Sequence, residues 1–180
     1  VDETGGDPRQ HTQSTAWQMR TPYLYEGRIV YQSGADLYTY DIASARNLVS
    51  MKLLGYTAVV SAMRDRLPED GSIVLFGGRA KDRPYPGGMT VGTVNAGISG
   101  MVPGLALQLS PRRVNAIHPG IVADAPFWSG RHEFTAEVRR ATPTGRSVAM
   151  EDIVDGVDFL IRNRSVNGID LYIDGGWLLL

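Results

Sequence analysis

Short β-branched runs alternate with helix-period stripes along most of this chain, and no other feature restricts its fold as strongly. Ser72-Ile73-Val74-Leu75-Phe76 is apolar after its first residue, as a strand covered on both faces must be. Arg113-Val114-Asn115-Ala116-Ile117-His118 and the run from Gly168 to Asp174 read as further strands, and Arg28-Ile29-Val30-Tyr31 as an earlier buried one. Between them, Val49, Leu53, Tyr56, Val60, Met63 and Leu67 recur at alternating steps of four and three. That spacing predicts a helix over 42–67, which Asp41 can cap and Pro68-Glu69-Asp70-Gly71 stops. Val94, Ile98, Met101 or Val102, Leu105 and Leu109 predict a second helix over 90–109, with a kink at Pro103. A short helix over Thr135 to Ala141 and a last one with its stripe on Met150, Ile153, Val154, Val157, Leu160 and Ile161 complete the series. Strands that alternate with helices in this way imply an α/β fold built on a parallel sheet.

The rest of the chain bounds the function. Residues 1–25, rich in Gly, Thr, Gln, Asp and Arg, show neither period and read as an irregular arm before a single domain over 26–180. The balance of 18 Lys+Arg against 19 Asp+Glu gives a net charge of -1, which makes nucleic acid and acidic membrane surfaces poor partners. No cysteine is present, so disulfides, thiolate metal sites and cysteine nucleophiles are all excluded, and a reducing cytoplasm is the expected compartment. The apolar runs are too short to span a bilayer. His11 and His132 have no metal-ligand spacing to any carboxylate cluster, so no metal is expected. The Asp152, Asp155 and Asp158 series reads as the solvated face of its helix.

Four phrases carry a resemblance: Gly71-Ser72-Ile73-Val74, Gly104-Leu105-Ala106-Leu107-Gln108-Leu109, Arg113 through His118 with Pro119-Gly120, and Tyr172-Ile173-Asp174-Gly175-Gly176. In order and spacing they resemble the short-chain dehydrogenase/reductase family over about residues 28–180. The resemblance implies a Rossmann-like parallel sheet of about four strands, the C-terminal half of the family's sheet. The family's hydride chemistry uses an Asn, a Ser, a Tyr and a Lys. Counting back from Leu105 to Leu109, the Lys position falls on Asn95 and the Tyr position on Val91, while the Ser position falls on Gly78 and the Asn position on Lys52. No Tyr-x-x-x-Lys occurs in the chain. The Gly-rich phosphate turn that should follow a first strand is also missing, because Thr4-Gly5-Gly6 leads into Asp7-Pro8 and no apolar strand precedes it. The chain thus reads as a truncated member without the family's catalytic set. A nicotinamide cofactor, NAD(P), is disfavoured on this reading; if one binds, the backbone of Pro119, Gly120 and Ile121 is where the family would place it.

The implied pocket lies at the carboxyl ends of the strands, lined by Gly77, Gly78, Arg79, Tyr85, Asp124, Phe127 and Trp128. Three residues there are candidates for catalysis. Asp82 is a carboxylate base or, flanked by Lys81 and Arg83, a loop ion pair; Asn95 orients a carbonyl or is a buried amide satisfied by backbone; His118 shuttles protons or is fixed at a strand end by a backbone hydrogen bond. Asp124 stands where the family often has a Thr beside the nicotinamide, and a carboxylate there would repel cofactor phosphate. Phe127 and Trp128 are pocket walls or loop anchors. Three functions follow from the resemblance. One is a small-molecule enzyme without Tyr/Lys chemistry, such as a cyclase, isomerase or non-standard reductase of biosynthesis. The second is a non-catalytic partner of a complete family member. The third is an NAD(P)-dependent oxidoreductase whose cofactor-binding half is missing from this chain. Association is expected either way, as a homo-oligomer through the 42–67 and 90–109 helices or as a hetero-oligomer with a complete member. The motivation is the glycine-rich face at Gly97, Gly100 and Gly104.

Overall fold

The computed structural model describes residues 23–25, 28–33, 36–128 and 130–179, with side chains from residue 43 onward. The chain divides into two compact units, residues 1–48 and 49–180.

In the first unit, β1 (Tyr23–Tyr25), β2 (Arg28–Ser33) and β3 (Asp36–Asp41) form an antiparallel sheet in the order β1-β2-β3. This corrects the expectation that Arg28–Tyr31 is a strand of the parallel sheet. Residues 36–41, Asp-Leu-Tyr-Thr-Tyr-Asp, also alternate in strand fashion, and the register pairs Ser33 with Asp36. Two alternating segments joined by so short a link pair with each other as a hairpin more readily than with a distant strand. β2 therefore has a partner on each edge, Tyr23–Tyr25 being the last residues of the stretch expected to be irregular. The Thr4-Gly5-Gly6 segment lies outside the described residues.

The helical stripe is resolved into α1 (Ile42–Val49), a π-helical turn over Ser50–Leu54 and α2 (Gly55–Met63). The π turn shifts the facing, so that in the second unit Leu53, Tyr56 and Val60 pack on the core while Met63 is exposed. The second unit carries the parallel sheet, β4 (Ser72–Phe76), β5 (Arg113–Pro119) and β6 (Asp170–Ile173), in the order β4-β5-β6. It has three strands where four were expected. Its middle strand is buried along its length through Arg113–His118. α3 (Met89–Gln108) runs continuously through Pro103 and buries Val94, Asn95, Ile98, Val102 and Ala106. Of these, Ile98, Val102 and Ala106 pack with Val60, Leu75, Leu109, Val114 and Ala116 on one side of the sheet.

On the other side, α5 (Met150–Arg162) presents Ile153 and Leu160 to Ile117 and Val148. Gly156 permits this approach, because a Cβ there would meet Ile117 Cδ1 at 3.0 Å. Arg113, 6% exposed, ends α5: its guanidinium donates to the carbonyls of Leu160, Ile161 and Asn163 at 2.7 to 2.8 Å. A buried cation at a helix C-terminus satisfies otherwise orphaned carbonyls and the negative end of the dipole together. α4 (His132–Ala141) completes the unit. No described helix is long and apolar enough to cross a membrane.

Candidate functional site

The carboxyl ends of β4, β5 and β6 converge on three groups of polar side chains. The first surrounds Lys52, which the π turn carries. A π turn adds a residue to the helical repeat and redirects the side chains beside it, and such turns recur at functional sites. Here Lys52 Nζ donates to the carbonyl oxygens of Phe76 and Gly77, both at 3.2 Å, and to Asn95 Oδ1 at 3.4 Å. Tyr56, one turn further on, donates its hydroxyl to the same Phe76 oxygen at 3.2 Å. Asn95 is 4% exposed, and a Cβ on Gly78 would stand 2.8 Å from its Nδ2. Burial holds the Lys52 pKa below its ordinary value.

Lys52 and Asn95, expected from the resemblance at the family's Asn and Lys positions, touch each other. Gly78, expected at the family's Ser position, leaves room for the Asn95 amide.

The second group is centred on His118, which is fully buried. Gly78 donates its N–H to Nδ1 at 3.1 Å, and the Gly78 carbonyl oxygen lies 3.3 Å from the same nitrogen. Nε2 lies 3.4 Å from Ser99 Oγ and 3.1 Å from Asp170 Oδ1. That carboxylate oxygen is buried and no hydrogen-bond donor is aligned on it. Gly77 is required here too, since any Cβ would collide with the imidazole.

The third group is an ion-pair network. Arg79 Nε donates to Asp174 Oδ2 at 2.9 Å and its NH1 to Asp82 Oδ2 at 2.7 Å, while the guanidinium lies 4.1 Å above the Tyr172 ring. Lys81 Nζ takes the other oxygen of Asp82 at 3.0 Å and the Tyr172 hydroxyl at 3.0 Å. Burial lowers the Lys81 pKa, but the hydrogen bonds to Tyr172 and Asp82 outweigh it and raise the value overall. Both Asp82 oxygens are thus held by cations, in the arrangement of the loop ion pair.

The remaining expected residues separate from these groups. Asp124 Oδ1 accepts the backbone N–H of Met150 and so fixes the start of α5. The Phe127 and Trp128 rings meet edge to face at 4.8 Å, Trp128 stacks on Phe134 at 5.1 Å, and Arg131 lies over both, which anchors this loop to α4. Tyr85 is 54% exposed and packs its ring against Gly88. Gly120 donates to the Ile173 carbonyl at 2.8 Å and leaves room for Asp174, and Pro119 closes β5. Ile121 is half-buried. Sequence reasoning did not single out Lys52, Ser99, Asp170 or Tyr172 as site residues. For Lys52 a signal existed, because only two lysines occur in the chain, Lys52 and Lys81.

A parallel sheet flanked by helices, with its polar groups gathered at the strand carboxyl ends and Pro119-Gly120 closing the middle strand, is the Rossmann-type arrangement of a dehydrogenase half. The family model described as enoyl-(acyl carrier protein) reductase matches residues 29–178. The chain belongs to the short-chain dehydrogenase/reductase family. It is 26% identical to the short-chain dehydrogenase/reductase fsr5 of Gibberella fujikuroi over 79% of this chain and 57% of that protein. To L-xylulose reductase of Mus musculus it is 32% identical over 60% of this chain and 47% of that protein. The chain thus spans about half the length of the curated relatives it matches. Among solved structures, a small-chain dehydrogenase in complex with NADPH superposes with a TM-score of 0.72 at 26% identity, covering 78% of this chain and 66% of that one. The MalC reductase/Diels-Alderase of Malbranchea aurantiaca shares the fold with a TM-score of 0.73 at 24% identity, over 78% of this chain and 56% of that one.

Proposed function

We propose that this chain acts on a small organic molecule at the carboxyl end of its sheet by chemistry that passes no proton through a Tyr/Lys pair, as a cyclase, isomerase or non-standard reductase of biosynthesis. The observation that carries this reading is the contact between Lys52 and Asn95, together with the space that Gly78 leaves for the Asn95 amide. Two side chains that hydrogen-bond each other beside a glycine that makes room for one of them fit together as a rebuilt site does. A solved relative that shares the fold is itself described as both reductase and Diels-Alderase, which supports departures of this kind. Native mass spectrometry of the purified chain with and without reduced nicotinamide cofactor, paired with cofactor fluorescence, tests the reading. A co-purifying or added small molecule bound without cofactor is the expected result. Saturable binding of the reduced cofactor would favour an NAD(P)-dependent oxidoreductase instead.

A second reading is a partner subunit for a complete family member. Met51, Leu54 and Val59 are 61–67% exposed along the π turn and α2, and Gly100 and Gly104 of α3 have nothing within 4 Å of where a Cβ would stand. An apolar face beside open glycines suits a second helix pair. Sedimentation at tens of micromolar distinguishes a self-associating chain from one that awaits a different partner.

A further inference from the structure

Lys52 is a half-buried cation without an anion. Among the described residues no carboxylate lies within ion-pair distance of it, and its donors go to two backbone carbonyls and an amide oxygen. The two cations of the neighbouring network are neutralised, Arg79 by Asp82 and Asp174 and Lys81 by Asp82. Neutral oxygens stabilise an ammonium but do not cancel its charge, so Lys52 keeps its positive charge in a partly desolvated setting. The lowered pKa of Lys52 agrees with that uncompensated position.

A second observation concerns the donors themselves. The Tyr56 hydroxyl and the Lys52 ammonium, one turn apart, converge on the single carbonyl oxygen of Phe76, each at 3.2 Å. In the β4–β5 ladder the Gly77 N–H pairs with Ile117, so the Phe76 carbonyl points to the opposite edge of β4. Both of its hydrogen bonds lie on the exposed side. The Phe76 oxygen accepts both donors with its two lone pairs, and a carboxylate, being ionised, is the stronger acceptor for the same two donors. A single ammonium suits a monoanion, since a phosphate dianion would need further cations or a set of backbone N–H groups.

We propose that Lys52 and Tyr56 form a binding site for the carboxylate of a small organic acid, which takes over the two donors now shared by the Phe76 carbonyl. This names a substrate class for the site read above and rests on that reading, although its test does not require the cofactor or ligand experiment to succeed.

The two-lysine composition makes the test direct. Protein labelled with 15N-lysine and carrying Lys81→Arg has one side-chain ammonium, that of Lys52, whose NMR signal is followed during titration with acetate and, separately, with inorganic phosphate. The expected result is a saturable shift with acetate, saturation by phosphate only at higher concentration, and roughly tenfold weaker acetate binding when Tyr56→Phe is added. Saturation by phosphate at lower concentration overturns the carboxylate assignment. A Lys52 signal that acetate does not move, or a drift without saturation, overturns the site. Unchanged acetate affinity in Tyr56→Phe overturns the paired-donor geometry. The Lys81 signal in the unsubstituted protein, expected to stay still, separates a site from a general salt effect. A carboxylate site in a protein that carries no ligand and binds none in mass spectrometry would uphold this inference while the proposed function fails.

Discussion

Gly78 lies in extended backbone, φ 168° and ψ 169°, which any residue adopts, so the constraint on it is space alone. A Cβ there would press on the Asn95 amide at 2.8 Å, and Asn95 is packed too tightly on α3 to withdraw. Restoring the family's serine by Gly78→Ser should therefore destabilise the protein by about 1–3 kcal/mol, the usual cost of overpacking. Urea denaturation of Gly78→Ser alone and with Asn95→Ala measures it, and the second change is expected to recover most of the loss. Asp152 provides a different kind of test. Its carboxylate accepts two hydrogen bonds from Arg146, at 2.6 and 2.7 Å, and the N–H of Ala149 at 2.8 Å, and these hold its pKa at about 2 against the ordinary 3.8. A depressed folded pKa contributes stability that is complete above the unfolded value and is lost as pH falls through the folded one. Asp152 is thus expected to keep its charge at pH 3, while its contribution to stability falls progressively as pH drops from 3.8 to about 2. Carboxyl NMR titration reads the midpoint directly, and Arg146→Gln should move it up toward 3.8.

At the scale of elements, α5 is clamped at both ends, by Asp124 and Arg113 from far away in sequence and by its own Asp152. Asp124 and Asp152 accept N–H groups at its start, and Arg113 takes the carbonyls at its end. The acceptors favour the positive end of the helix dipole and the guanidinium the negative end. Asp124→Ala should cost about 1 kcal/mol in thermal or chemical unfolding, the ordinary value of a lost N-terminal cap. Asp124 was legible in the sequence only as a pocket residue, because its spacing from Pro119-Gly120 matched the family's pattern; the bond it makes spans 26 residues, and no local pattern announces it. For α3, whose Gly100 and Gly104 face open space, the proposed association predicts that Gly100→Leu shifts the sedimentation coefficient toward that of a monomer without lowering the unfolding midpoint. An unchanged sedimentation coefficient in the variant removes this face from the interface.

At the scale of the second unit, the sheet is anchored by its middle strand. Each edge of β5 is paired, Val114, Ala116, Ile117 and His118 are fully buried, and a helix covers each face. Hydrogen exchange should therefore be slowest at the amides of residues 114–118, where exposure requires the unit to open as a whole, and faster in the 120–131 loop. Exchange in β5 as fast as in that loop would contradict this assignment of the core.

The sequence alone determined the strands and helices from residue 72 onward, because a face that must be buried imposes its period on the chain locally. It also determined the family, since the residues around the β5 turn and in α3 are fixed by close backbone packing. The antiparallel pairing of residues 28–41 escaped it: Arg28–Tyr31 has the same composition whether its neighbour is a hairpin partner or a distant parallel strand. Only the tertiary structure could decide the site. Lys52 reaches Asn95 across 43 residues, Gly78 reaches His118 across 40, and Arg79 reaches Asp174 across 95. Their meaning depends on which strand ends lie side by side, and that is set by the order of strands in the sheet rather than by any pattern within one segment.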